Sequence, residues 1–326
     1  LTTASLALKM GLPIRSVIAL THTASDQIGR SVPAPGKGLL SIAAEKPTTF
    51  PSPLLDMSYR RRQLEHRIRQ INETADMELA WIDSQSPLDP NLINEYRART
   101  QQATDRAIKD AQFALGNDFW RADSTISPLR GALAVWGLTV DDITIASLHG
   151  TSTKKNDVNE SSVLQSQLAA LGRTKGNILP CIVQKSLVGH GLAAAGGFAL
   201  NGCIQSLASR TIPGNRNADN IDPELQSRDL LFFPSETYKV REEVKAFSVT
   251  SFGFGQKGAQ VIGVHPRYLF ANVGAEEYER YRARVERRLA RADQGLQRGI
   301  YGGNLVNVKE ENVYGSKDME KALLER

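Results

Sequence analysis

The sequence predicts an α/β fold, on three observations. Between Ile143 and Ser209, short apolar runs alternate with helical patterns in the order strand, helix, strand, helix. Residues 245–266, KAFSVTSFGFGQKGAQVIGVHP, read as two more strands joined at a glycine turn, and LLFFPSE supplies another short apolar strand. The first two strands, Ile143 to Leu148 and Leu179 to Gln184, lead directly into basic side chains, His149 and Lys185. Open α/β sheets place their chemistry at the C-terminal ends of strands.

Taken in order, the chain opens with a helix from Leu1 to Met10, a strand from Ile14 to Leu20, a loop, and a helix from Gly38 to Glu45. The loop holds PAPGKG. Lys37 is followed by Gly38 where a phosphate-binding loop needs Ser or Thr, which argues against a nucleotide site. Pro51 and Pro53 close this part. Residues 56–83 and 90–115 then read as two helices around a turn containing Pro87 and Pro90. Their apolar residues are sparse (Leu64, Ile68, Ile71, Leu79, Ile82) and arginine is abundant, the pattern of an inserted helical hairpin with a solvated face.

A helix from Ile126 feeds the strand before His149. In the next helix, Asp157 and Asn159 are the candidate caps, Val163, Leu164, Leu168 and Leu171 form the apolar stripe, and Gly172 is the stop. After Gly189-His190-Gly191 comes a helix of small residues running to about Ser209, then the turn-rich loop TIPGNRNADNID. Residues 275–298 form an arginine-rich helix with Tyr278, Tyr281, Val285 and Leu289 at helical spacing, suited to packing on the domain or a neighbour.

Composition excludes several function classes. With 326 residues, 41% hydrophobic and 23% charged, the chain is that of a soluble globular protein of one large or two ordinary domains. It has no run long enough to span a membrane, and Lys9, Pro13 and Arg15 interrupt any signal-like stretch, so a cytoplasmic location is expected. The start at Leu rather than Met reads as a piece of something longer. A net charge of +5, mixed with acids and without interleaved aromatics, gives no nucleic-acid stripe. Two cysteines form neither a disulfide framework nor a zinc cluster, and no metal site is expected. Cys181 falls in an apolar strand and Cys203 in the small-residue helix, so both are expected to be buried and inert.

The candidate site residues are His149, Glu160, Lys185 and His190. Two imidazoles converging on one oxygen would stabilise an oxyanion or enolate. Glu160 and Lys185 are expected to pair, because burying either charge alone is costly. Gly253 and Gly255 allow close backbone approach and unusual dihedrals around Phe254.

The motifs SLHGTSTKKNDVNES, QKSLVGHGLAAAG, IPGNRNADNID and SVTSFGFGQKGAQ, in this order, resemble the β-ketoacyl synthase family. More narrowly they resemble the synthase region of the fungal type I fatty acid synthase α subunit. The resemblance implies a thiolase-like five-layered α-β-α-β-α core, of which this chain is the second half. Residues 1–48 and 117–266 would form that half, 49–116 an inserted hairpin that helps assemble a complex, and 267–326 a C-terminal helical extension. It implies a decarboxylative condensation of acyl and malonyl groups delivered on the phosphopantetheine of acyl carrier protein, with no cofactor bound by this region. His149 and His190 would stabilise the malonyl enolate, Lys185 with Glu160 would support them, and Thr151 and Thr153 would bind the pantetheine arm. Phe254, between Gly253 and Gly255, would gate the acyl channel. Where the family has Gly-Thr-Asn after this turn, the chain has Gln256-Lys257-Gly258. The nucleophilic cysteine would lie upstream of Leu1, and the implied partners are acyl carrier protein, a second copy through the synthase core, and the α and β subunits of a large complex. A thiolase is disfavoured because SFGFGQKGAQ lacks its second cysteine. A catalytically inactive, chain-length-factor-like subunit and a starter-unit synthase of a polyketide pathway remain open alternatives.

Overall fold

In the computed structural model of the chain, the described residues are 1–26, 35–84, 89–253 and 256–305. They form two compact units: residues 15–269, and residues 1–14 together with those from Phe270 onward.

The larger unit is built on strands β1 (Val17–Ser25), β2 (Ile143–Ser147), β3 (Leu179–Ile182), β5 (Leu231–Phe232), β7 (Ala246–Gly253) and β8 (Lys257–Val264). They make one six-stranded sheet in the order β1-β8-β7-β2-β3-β5. β4 (Thr211–Ile212) and β6 (Tyr238–Lys239) pair apart as a small ribbon. β7, β2, β3 and β5 run parallel, while β8 and β1 are antiparallel additions at one side. Because β1 is antiparallel to β8 it runs with β7, so five C-terminal strand ends, those of β1, β7, β2, β3 and β5, share one edge. The helices in chain order are α1 (Ala4–Met10), α2 (Met57–Ser84), α3 (Pro90–Leu115), α4 (Pro128–Ala134), α5 (Lys154–Ala170), α6 (Lys185–Val188), α7 (Ala195–Ser209), α8 (Pro223–Gln226), α9 (Arg267–Phe270) and α10 (Ala275–Tyr301).

Both faces of the sheet are covered, which is why the central strands are nearly continuous apolar runs. On one face Ala146, Leu148, Leu179 and Ala246 meet Leu129 and Leu133 of α4 and Leu164 and Leu168 of α5. On the other, Ile145, Ile182, Phe247 and Val249 meet Ala199, Cys203 and Leu207 of α7. Small residues let α7 lie close to the strands. The result is the helix–sheet–helix layering predicted for an α/β core.

Several boundaries differ from the sequence reading. The first strand runs Val17–Ser25 rather than Ile14–Leu20, because its partner is the long strand β8, with Ser25 opposite Lys257. The segment expected as a helix from Gly38 is a 3-10 helix, Lys37–Ala43. Of the loop before it, Gly36 and Gly38 are described; their N–H groups donate to Asp26 at 2.8 and 2.6 Å, so an internal carboxylate occupies the amides a phosphate would need. α5 begins at Lys154, with Thr153 at the cap position, ahead of the expected caps Asp157 and Asn159.

The hairpin α2–α3 matches its predicted ends almost to the residue. Its root is fixed by Arg60, buried although charged: the guanidinium donates to Leu54 O and to Ala134 O (2.9 Å), and lies 4.0 Å from the Phe119 ring centre. In the smaller unit α1 packs on α10, with Tyr281 buried and its hydroxyl donating to Leu12 O at 3.0 Å.

Candidate active site

β2 ends at Ser147, and the chain turns at Leu148-His149-Gly150 toward α5. The turn is held from within α5. Glu160, fully buried, receives the His149 N–H at 2.6 Å on Oε1 and the Gly150 N–H at 2.9 Å on Oε2. Thr250 of β7 donates to Oε1 at 2.5 Å, and Asn156 donates to Oε2 at 3.3 Å. Burial pushes the Glu160 carboxyl upward, and the four donors oppose that shift. One carboxylate thus ties together β2, α5 and β7. Gly150 is required by the same turn. Its φ is +47°, and an added Cβ would stand 2.4 Å from Val183 Cγ1.

Lys185 opens α6 just beyond β3. The expected ion pair with Glu160 is not made. Instead the Lys185 ammonium donates to the His149 backbone O, and its Nζ lies 3.3 Å from His149 Nδ1. An ammonium only donates, so Nδ1 accepts and the ring proton sits on Nε2. Burial first, then the Lys185 and His190 charges, push His149 down to about 4. Burial also lowers Lys185, against the pull of Glu160. Glu160 already satisfies two backbone amides, which leaves Lys185 to the imidazole and carbonyl of His149.

His190, in the exposed loop between α6 and α7, accepts the Leu192 N–H at 3.0 Å on Nδ1. Its proton too is therefore on Nε2 in the neutral form. The two imidazoles stand with centroids 5.9 Å apart and planes at 88°. Leu187, Val188, Leu192 and Phe198, close to His190 in the chain, are exposed.

Thr151 and Thr153 lie on the same turn with hydroxyls 3.3 Å apart, and Thr153 is exposed. Gly253 ends β7, whose C-terminal end lies at the same sheet edge. Phe254 and Gly255 lie outside the described residues. The sequence reading passed over three contributors: Asn156, Thr250 and Phe252. Phe252 is buried with its ring edge-on to His149, 6.2 Å between centroids at 83°. It also rests on Gly36, where φ is +75° and an added Cβ would come within 2.4 Å of Phe252 Cε1. The signal for Thr250 and Phe252 was the strand alternation that puts both on one face of β7.

Two further side chains explain motif residues as scaffold. Asn215, from the turn-rich loop, accepts Val183 N–H (2.6 Å) and donates to Cys181 O (2.9 Å), closing the edge of β3. Gln184 donates to Ser147 Oγ (3.0 Å) and Ala199 O (2.8 Å), joining β2 to α7. Both cysteines are buried; burial pushes Cys181 well up and Cys203 up to about 12. Among the described residues no group of three His, Cys, Asp or Glu side chains is arranged to hold a metal, and no helix is long and apolar enough to cross a membrane.

Residues 96–219, which include His149, Glu160, Lys185 and His190, match the family described as Beta-ketoacyl synthase, C-terminal domain. That stretch carries the β-ketoacyl synthase C-terminal domain. It is 50% identical to the fatty acid synthase subunit alpha of Penicillium patulum, over 99% of this chain and 18% of that protein. It is 46% identical to the fatty acid synthase apf5 of Gibberella fujikuroi, over 100% of this chain and 21% of that protein. The chain thus spans about a fifth of the length of these relatives. The crystal structure of the noncanonical ketosynthase FabY from P. aeruginosa superposes with a TM-score of 0.57 at 18% identity, covering 94% of this chain and 36% of that one, and shares the thiolase-like fold.

Proposed function

We propose that this chain supplies the decarboxylation centre of a β-ketoacyl synthase within a fatty acid synthase. A malonyl thioester, carried on the phosphopantetheine of acyl carrier protein, places its thioester oxygen between His149 and His190. As the bond to the carboxylate carbon breaks and CO2 leaves, its electron pair forms the enolate, and two Nε2–H groups donate to the developing oxyanion. The enolate carbon then attacks an acyl thioester. A carbon–carbon bond forms, a thiolate leaves, and the 3-oxoacyl product remains on the carrier. The observation that carries this reading is the paired tautomer: Nδ1 of each ring accepts a hydrogen bond, which leaves both Nε2–H groups as donors.

The acyl group is held on a thiolate outside the described residues, since Cys181 and Cys203 are buried with raised pKa values. Thr151 and Thr153 bind the pantetheine arm, and Phe254, flanked by Gly253 and Gly255, gates the acyl chain. Lys185 keeps His149 neutral and in register; Glu160 fixes the turn. No cofactor is bound by this region. Residues 1–48 with 117–266 serve as the catalytic half, 49–116 as an assembly insert and 267–326 as an extension. The partners in this reading are a second copy, acyl carrier protein and the α and β subunits of a cytoplasmic complex. The test is malonyl decarboxylation by the full-length synthase carrying His149→Ala or His190→Ala. Loss of CO2 release with carrier-protein binding retained is expected; decarboxylation at the parental rate in either variant rejects the assignment.

A further inference from the structure

Helix α10 treats its arginines in two ways. Arg280 and Arg282 lie within 4 Å of Glu276, Glu279 and Glu286, at the usual helical spacings. Arg284, Arg287, Arg288 and Arg291 recur at i, i+3, i+4 and i+7 on one face, and among the described residues no carboxylate pairs with any of them. The acids nearest in sequence are turned elsewhere: Glu286 toward Arg282 (3.6 Å), and Asp293 toward Gln297 (3.0 Å). Like charges at these spacings repel, so the face carries an uncompensated cost.

These four arginines, with Met10 and Ala292, line a cavity of about 520 Å³. Two of them have a structural task at its wall. Arg284 donates to Leu8 O (3.2 Å) and Arg288 to Met10 O (3.0 Å), satisfying carbonyls at the end of α1. That leaves donors over. Arg284 Nε is buried without a hydrogen-bond partner among the described residues, a state native structures rarely tolerate. Among the described residues Arg287 uses only Nε, on Ala283 O of its own helix, and the exposed Arg291 makes no hydrogen bond.

We propose that this arginine face is a binding site for a small phosphate-bearing anion, a phosphate ester or diphosphate. Guanidinium forks match tetrahedral oxyanions in pairs of parallel hydrogen bonds. A phosphate group offers three acceptor oxygens and close to two charges, whereas a side-chain carboxylate offers two oxygens and one charge. Several guanidiniums with spare donors surround one cavity, and a tetrahedral ion has oxygens enough to accept from more than one of them. The cavity has room for part of the group to which the phosphate is attached.

The test is hydrogen exchange by mass spectrometry on the full-length chain, with inorganic phosphate or pyrophosphate as probes against chloride at equal ionic strength. Slowed exchange over residues 281–292 is expected, with pyrophosphate effective at lower concentration than phosphate. The R287Q/R291Q variant should bind at least tenfold more weakly, while exchange of α10 without ligand stays as in the parent. R287K/R291K, which keeps the charge and loses the fork, should fall between the two. Protection no greater than with chloride overturns the proposal. So does undiminished affinity in R287Q/R291Q, or protection by a glutamate-rich peptide without protection by phosphate.

Discussion

The Lys185 ammonium stands 3.3 Å from Nδ1 of His149 and also holds the carbonyl of that same residue. One lysine therefore fixes both the tautomer and the backbone of the histidine. Replacing it with methionine should raise the His149 pKa from about 4, since one of the two positive neighbours is removed. The value should stay below the ordinary 6.5, because burial is the larger cause. NMR titration of the His149 ring checks this. In the proposed synthase reaction, the acid limb of the pH profile should move to higher pH in Lys185→Met.

The same shift fixes a pH dependence of stability. His149 takes up its proton near 4 when folded and near 6.5 when unfolded. The unfolded chain therefore binds more protons in that window, and this histidine costs stability as pH falls from 6.5 toward 4. His149→Gln should flatten the stability curve there, measured as denaturation midpoint against pH.

Glu160→Gln tests the turn. The amide must present an NH2 to a position where N–H and O–H groups already point. A destabilisation of about 2–3 kcal/mol is expected, as for a buried hydrogen bond to a charged group left unmade. Because the turn carries His149, kcat should fall with KM nearly unchanged. An equal loss in both would assign Glu160 a binding role instead.

Gly150→Ala should be among the most damaging small substitutions. A non-glycine residue in the left-handed region costs about 1–2 kcal/mol, and the clash with Val183 adds to it. The double change with Val183→Ala should recover the clash portion alone. Thermal melts of the three proteins separate the parts.

Arg60→Leu should loosen the hairpin and leave the sheet intact. It strands the carbonyl of Ala134 and removes the stack on Phe119. Faster hydrogen exchange across 57–84 and 90–115, with the sheet unchanged, is the expected pattern.

The sequence by itself determined the α/β class, the hairpin ends and the burial of both cysteines. Those features depend on local periodicity, turn chemistry and motif order, which neighbours in the chain encode. It placed the first strand too early, because β1 takes its register from β8, more than two hundred residues away. It paired Lys185 with Glu160 on charge alone. Only the tertiary structure gave Glu160 to the amides of His149 and Gly150 and gave Lys185 to the imidazole, since hydrogen-bond partners are chosen by direction and distance across packed elements. Alternation puts Thr250 and Phe252 on one face of β7, but only the pairing of β7 with β2 brings that face to Glu160 and His149.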